Sequence, residues 1–214
     1  MAKRFVSIVL KSTYFFLSCP VFLISFLLIY LNVDNLKRDF YICVQVIDNS
    51  ENLPLLFIQT LIAAEDHRNY LHYGVDYIAL LRAIYMIVFC KKLEGGSTIE
   101  QQFVRTVLKR YEKTLSRKIR EQILAISLTC KRTKYKIASA YISIAYYGTN
   151  KNGIESLFHL HNGIPFSELD KKTVAEIISR LKYPEPLFFN EVWFSKIKAR
   201  IGYIEFRLDK NIND

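Results

Sequence analysis

The chain has 214 residues, 51% of them hydrophobic, which suits one folded domain with an added apolar segment. Seven glycines and five prolines leave too little turn material for a many-stranded β-sandwich, and apolar residues recur at spacings of three and four. The net charge of +10 suits phosphate-bearing partners, but without zinc-ligand spacing, a basic zipper or an aromatic RNA-binding motif the expectation is no nucleic acid. Anionic lipid and pyrophosphate attract the same charges.

Residues 12–31 read STYFFLSCPVFLISFLLIYL, twenty positions without a charge. At about 1.5 Å per residue they match a hydrocarbon core roughly 30 Å thick, so a transmembrane helix is expected, with Pro20 inside it. A cleaved signal peptide is the competing reading; the run is long for a signal core and no small-x-small site follows it. Lys3, Arg4 and Lys11 precede the run, whereas Asp34, Lys37, Arg38 and Asp39 cancel after it. The positive-inside rule therefore makes residues 1–11 a cytoplasmic tail and places the remainder outside. Residues 32–49 read as a juxtamembrane linker and residues 50–214 as one domain. Cys19, Cys43, Cys90 and Cys130 lack metal-ligand spacing; buried thiols, or one disulfide among the last three, are expected.

Asn52 and Pro54 open a helix on which Ile58, Leu61 and Ile62 share a face with Glu65. The string EDHRNYLHYG from Glu65 is ordinarily a polar helix end, but a carboxylate on an apolar stripe also suits proton transfer. His67 and His72, five apart, leave a common helical face, so capping or core roles are expected of them. Between Asp76 and Lys92 the sequence predicts a helix that is either buried centrally or touching a membrane, too short to span one.

GGSTIEQQ supplies a glycine turn and a helix start. Ser97-x-x-Glu100 fits a capping box, and the same turn offers unpaired amides to an anion such as pyrophosphate, with Gln101 and Gln102 as further donors. Lys109, Arg110, Lys113, Arg117, Lys118 and Arg120 form a basic stretch that is either a solvated face or a holder of lipid pyrophosphate. Arg117 and Glu121 are an i,i+4 pair, and Glu121 shares its side with Ala125 and Leu128, which aims it inward. Later helices are predicted near residues 137–147, 174–181 and 193–208; Ser167 with Asp170 reads as the cap of the second, and Pro184 and Pro186 as its stop.

In this order the strings resemble the motifs of the peptidoglycan glycosyltransferases, glycosyltransferase family 51, over roughly residues 50–205. EDHRNYLHYGVD is similar to the first motif, GGSTIEQQ to the second, RKIRE (117–121) to the third, and IASAYISIAYYG with Gly153-Ile154-Glu155 to the fourth. HNGIPFSELD and the helix up to Pro184 are similar to the fifth region. The resemblance implies a mainly α, lysozyme-like, two-lobed helical domain behind one N-terminal transmembrane helix, in the bacterial inner membrane. It implies Glu65 as catalytic base and Glu121 as a second catalytic residue associated with donor phosphates or a metal. It implies substrate binding by Asp66, His72, Gly96, Ser97, Thr98, Gln102, Arg105, Arg117 and Lys118.

The activity so implied is glycan-strand polymerisation, with inversion, from undecaprenyl-pyrophosphate-linked glycan onto the 4-hydroxyl of lipid-linked GlcNAc-MurNAc-peptide (lipid II). A divalent cation, magnesium or manganese, and other wall-synthesis and division proteins are the implied companions. With no transpeptidase signature able to fit after Arg207, a monofunctional enzyme is expected. Asn69, Glu100, Arg105, Ser143 and Thr173 depart from the family's usual Phe, Thr, Lys, Asn and Glu. Glu100 is the pointed one, because it adds negative charge beside a pyrophosphate site unless it turns outward into the capping box. Two other readings stand beside the polymerase: a weakened or inactive family member serving as a scaffold in wall synthesis, and a lytic enzyme that cleaves glycan with one glutamate.

Overall fold

The three-and-four spacing of apolar residues is realised as helix along most of the chain. The structure, a computed structural model, describes residues 2–92, 95–161, 163–188 and 190–212, without the side chains of 2–7, 159–161 and 211–212. The side chains of Lys3 and Arg4, and Asn162 of the fifth block, thus lie outside the described residues.

Among the described residues the α-helices are α1 (Ala2–Tyr30), α2 (Leu36–Asn49), α3 (Leu55–Glu65), α4 (Tyr77–Val88), α5 (Ile99–Leu108), α6 (Leu115–Lys131), α7 (Lys134–Ile144), α8 (Lys171–Lys182) and α9 (Glu191–Ile212). Strands β1 (Tyr146–Gly148) and β2 (Lys151–Asn152) form one antiparallel ladder. The chain is mainly α, in keeping with a lysozyme-like helical domain. Its contacts divide it into two units, residues 1–49 with 68–137 and residues 50–67 with 138–214.

The first unit is built on α6, whose Leu124, Ala125, Ile126 and Leu128 are fully buried. Helices α1, α2 and α5 pack on it. Gly74 makes the closest approach: its φ is +93°, and a Cβ there would lie 2.6 Å from the Ala125 carbonyl, so only glycine fits. Residues 32–49, read as a linker, instead form a 3-10 turn (Val33–Asn35) and α2, which buries Leu36, Cys43 and Ile47. Arg120 of α6 binds both Asp34 and Asp39. Arg132 takes Asp48 in a two-pronged pair at 2.6 Å on each oxygen. Burial of Leu36, Cys43 and Ile47 holds α2 to the unit, and these long-range pairs fix its place on α6.

Helix α1 is long and apolar enough over Ile8–Tyr30 to cross a membrane, and Pro20 lies within it without ending it. It is more than a free tether. Its stripe Tyr14, Ser18 and Ser25 is buried, and the Tyr14 hydroxyl donates to Asp76 Oδ1 at 2.5 Å. Asp76 also caps α4 by accepting from the Ala79 amide and pairs with Arg68 at 2.8 Å. Burial pushes the Asp76 carboxyl up, but these hydrogen bonds outweigh it and hold it below its ordinary range. Of the two readings of α4, central burial is overturned: only Ala79 and Ala83 are buried, while Ile78, Leu81, Ile84, Tyr85, Ile87 and Val88 are exposed. All four cysteines are free, with Cys43 alone buried.

In the second unit α3, α8 and α9 pack around Phe57, Leu61, Val174, Ile177, Ile178 and Ile204. The Ser139 hydroxyl accepts from the Leu53 amide at 2.7 Å and donates to the Glu51 carbonyl at 2.8 Å, tying the entry of α3 to α7. Helix α7 ends at Ile144, earlier than the periodicity suggested, because Tyr147 turns into β1 and donates its buried hydroxyl to the Ile142 carbonyl at 2.7 Å. Of the two residues read as its cap, Asp170 caps helix α8, accepting from the Thr173 amide at 3.0 Å, and Ser167 lies in the 3-10 turn Phe166–Glu168 before it.

Candidate functional site

The candidate residues fall into a cluster in the first unit and a shorter set in the second. In the first, Thr98 is the N-cap of α5: its hydroxyl accepts from the Gln101 amide at 3.3 Å and donates to the Gly74 carbonyl at 2.7 Å. The capping box of Ser97 with Glu100 is therefore not formed, since the helix begins at Ile99 and Thr98 already satisfies its first turn. With its hydroxyl so committed and the residue 1% exposed, Thr98 positions the turn. Gly96 is sterically demanded, because a Cβ would come within 2.9 Å of the Ala79 carbonyl oxygen, whereas Gly95 has nothing within 4 Å. Gln102 is half-buried on α5, and Gln101 is buried.

Ser97, freed from capping, faces the basic cluster. Its hydroxyl accepts from Lys118 Nζ at 2.6 Å and from Arg105 at 3.3 Å. Glu121, 2% exposed, lies at the centre of the same group: Oε1 accepts from Arg105 Nε at 2.8 Å and from Arg117, and Oε2 from Arg105 at 3.1 Å and Lys118 at 3.5 Å. One carboxylate is thus shared by three cations. Burial pushes the Lys118 amine below its ordinary range; Glu121 opposes this, while Arg105 and Arg117 reinforce it. Five residues named from the sequence, Ser97, Arg105, Arg117, Lys118 and Glu121, are brought together. The set does not suit Glu121 as a metal ligand, because both its oxygens accept from cationic donors that would repel a divalent ion.

Behind the turn, Glu100 does not turn outward into a capping box. It is 1% exposed, and its Oε1 accepts from Lys134 Nζ at 2.7 Å and from Asn69 at 3.5 Å. Two departures from the family pattern, Asn69 and Glu100, therefore touch each other, and Lys134 neutralises the acid. His72, 2% exposed, accepts from the Gly74 amide at Nδ1 and lies 3.2 Å from Lys134 Nζ, a structural place in the Gly74 turn.

In the second unit Glu65 is the last residue of α3, and Asp66, 5% exposed, closes the helix with φ −150° and ψ 62°. Glu65 Oε1 accepts from Arg200 of α9 at 2.7 Å, and the same guanidinium nitrogen donates to the Ala64 carbonyl at 2.6 Å. Arg200 also stacks over Tyr203, its guanidinium carbon 5.0 Å from the ring centroid. The carboxylate on the apolar stripe is thus held by a charge from a remote helix. Sequence reasoning missed Arg200 and Lys134: neither lies in a motif, and each reaches its partner only through the fold.

A family model described as Transglycosylase matches residues 44–204. Penicillin-binding protein 1A of Rickettsia typhi is 30% identical over 161 residues, 73% of this chain and 20% of that protein. Penicillin-binding protein 1A of Pseudomonas aeruginosa is 34% identical over 134 residues, 62% of this chain and 16% of that protein. Penicillin-binding protein 1F of Bacillus subtilis is 34% identical over 125 residues, 58% of this chain and 17% of that protein. The chain thus spans about a fifth of the length of these relatives. With a match reaching from α2 into α9 and taking in both sets of candidate residues, this chain belongs to the transglycosylase family, the peptidoglycan glycosyltransferases of family 51.

Proposed function

We propose that the chain polymerises peptidoglycan glycan strands. The observation that carries this reading is the Ser97, Arg105, Arg117, Lys118 and Glu121 cluster, in which three cations face one carboxylate and leave an excess of about two positive charges. A pyrophosphate leaving group is a weak base, so its departure needs charge stabilisation more than a strong acid. Lys118 and Arg105 with the Ser97 hydroxyl supply it, and Glu121 keeps the cations in register. Glu65, oriented by Arg200, accepts the proton of the acceptor sugar's 4-hydroxyl as that oxygen bonds to the donor's anomeric carbon. The bond from that carbon to pyrophosphate breaks with its electrons, and the anomeric configuration inverts.

The neutralisation of Glu100 by Lys134 supports the active reading over the scaffold, because the extra acid adds no unpaired charge near the α5 turn. The cluster of cations likewise favours a pyrophosphate substrate over the intact strand cleaved by a lytic enzyme. Membership in the family, the apolar reach of α1 and the exposed face of α4 support a single-pass protein of the bacterial inner membrane, N-terminus in the cytoplasm.

The test is incubation of the detergent-solubilised chain with labelled lipid-linked disaccharide-peptide, products being resolved by gel. Wild type should give a glycan ladder, and Glu65→Gln should lower its rate by about 10²–10⁴-fold while melting like wild type. No ladder from folded wild type, where an established polymerase works, would replace the polymerase with a non-catalytic partner.

A further inference from the structure

At the far end of α6 from Lys118, a cavity of about 390 Å³ opens between α1, α2 and α6. Phe22, Phe26, Ile29, Phe40 and Tyr41 wall it, and Lys37 and Lys131 contribute the only charges of its lining. The rings are set edge to face or tilted, Phe40 against Tyr41 at 5.9 Å on α2 and Phe22 against Phe26 at 6.4 Å on α1. Charge in this part of the unit is unevenly spent. Asp34 and Asp39 are taken by Arg120, and Asp48 by Arg132. No acid among the described residues pairs with Lys37 or Lys131, and both are exposed.

We propose that this cavity binds one anionic phospholipid of the surrounding bilayer, an acyl chain between the rings and the phosphate on Lys37 and Lys131. The proposal rests on the reading of α1 as a membrane helix, since Phe22, Phe26 and Ile29 belong to its apolar span. A lipid tail inside a bilayer is already out of water, so the apolar walls add fit and little transfer energy. Selection therefore resides in the two lysines, each able to favour an anionic over a neutral headgroup by roughly fivefold. Bound there, the lipid joins α1 to α2 and α6, a seam where α1 otherwise offers few buried residues.

The test uses the full chain in nanodiscs of phosphatidylglycerol or phosphatidylcholine, released into mild detergent and weighed by native mass spectrometry. One phosphatidylglycerol should remain on wild type and no phosphatidylcholine. Lys37→Ala with Lys131→Ala should lower retention by about 25-fold. Cys130→Trp, which fills the cavity from its exposed rim and keeps both lysines, should lower it too. Helical circular dichroism and melting confirm that each variant folds. Equal retention of the two lipids, retention unchanged in both variants, or retention of polyprenyl pyrophosphate in place of phospholipid would overturn the proposal. Glu65→Gln should retain lipid like wild type, so failure of strand synthesis and failure of this site are separate results.

Discussion

Glu121 and Glu65 are both acids of the proposed reaction, yet the two units treat them oppositely. Glu121 is enclosed by three cations, two of them from its own helix at three and four residues' distance. Glu65 accepts from a guanidinium 135 residues away along the chain. A carboxylate ringed by three cations organises their charge, whereas one oriented by a guanidinium from a remote helix suits proton transfer. In the proposed reaction the two surroundings suit different roles: Glu121 positions cations for the leaving group, and Glu65 takes the proton.

The largest break in this comparison comes from Glu121→Gln. Removing the shared charge leaves three half-buried cations facing one another, a loss of about 3 kcal/mol by analogy with broken buried pairs. Melting should fall by roughly 6–12 °C, and strand synthesis by on the order of a hundredfold as the cluster opens. If melting holds and only synthesis falls, Glu121 acts on substrate directly and the contrast with Glu65 narrows.

Much of this first-unit cluster is legible in the sequence because helical spacing carries it. Arg117, Lys118 and Glu121 lie within one turn of α6, and the glycine turn before α5 announces the amide-bearing helix start. What stays hidden is whatever the fold assembles from a distance. Arg200 is one basic residue among several on α9, and nothing in its neighbours marks it for Glu65. The same holds for α2, whose acids meet Arg120 and Arg132 reaching back over more than eighty residues. The cap of α5 is misread for a different reason: Ser97 and Thr98 are adjacent and both suit a cap, and only the contact of Thr98 with Gly74 decides between them.

Glu100 and Lys134 offer the next test, of whether the departures from the family pattern are matched to each other. Lys134→Met leaves a buried carboxylate without its cation and should cost about 3 kcal/mol in melting or denaturant unfolding. Adding Glu100→Thr should recover all but about 1 kcal/mol, since the charge that needed Lys134 is gone. Additive losses would mean that the two residues stabilise the turn independently.

Arg200→Ala should act on rate alone. The Glu65 carboxylate stays but loses its orientation, so kcat should fall by roughly tenfold while KM stays within about twofold. Arg200→Lys should restore part of the rate. A rise in KM at constant kcat would make Arg200 a substrate contact.

The smallest effect separates the units by acid. Asp76 in the first unit and Glu185 in the second both have carboxyls held below their ordinary range. At Asp76 burial works against the shift and the Tyr14, Ala79 and Arg68 hydrogen bonds produce it; at Glu185 burial again opposes, and Lys151 and Arg180 prevail. Each contribution is complete above the unfolded carboxylate values near pH 4 and is lost as pH falls through the folded value, because the unfolded chain takes up protons first. Wild-type melting should therefore drop between pH 5 and pH 3, and Asp76→Asn, which still caps α4, should flatten part of that drop. Glu185→Gln should flatten another part. The Glu185 side chain is 23% exposed against 5% for Asp76, so 0.5 M salt should erase more of the difference made by Glu185→Gln than of that made by Asp76→Asn. Equal sensitivity to salt would mean that solvent reaches the two carboxylates alike, and that α1 opens from Asp76 as readily as the surface pair around Glu185 dissolves.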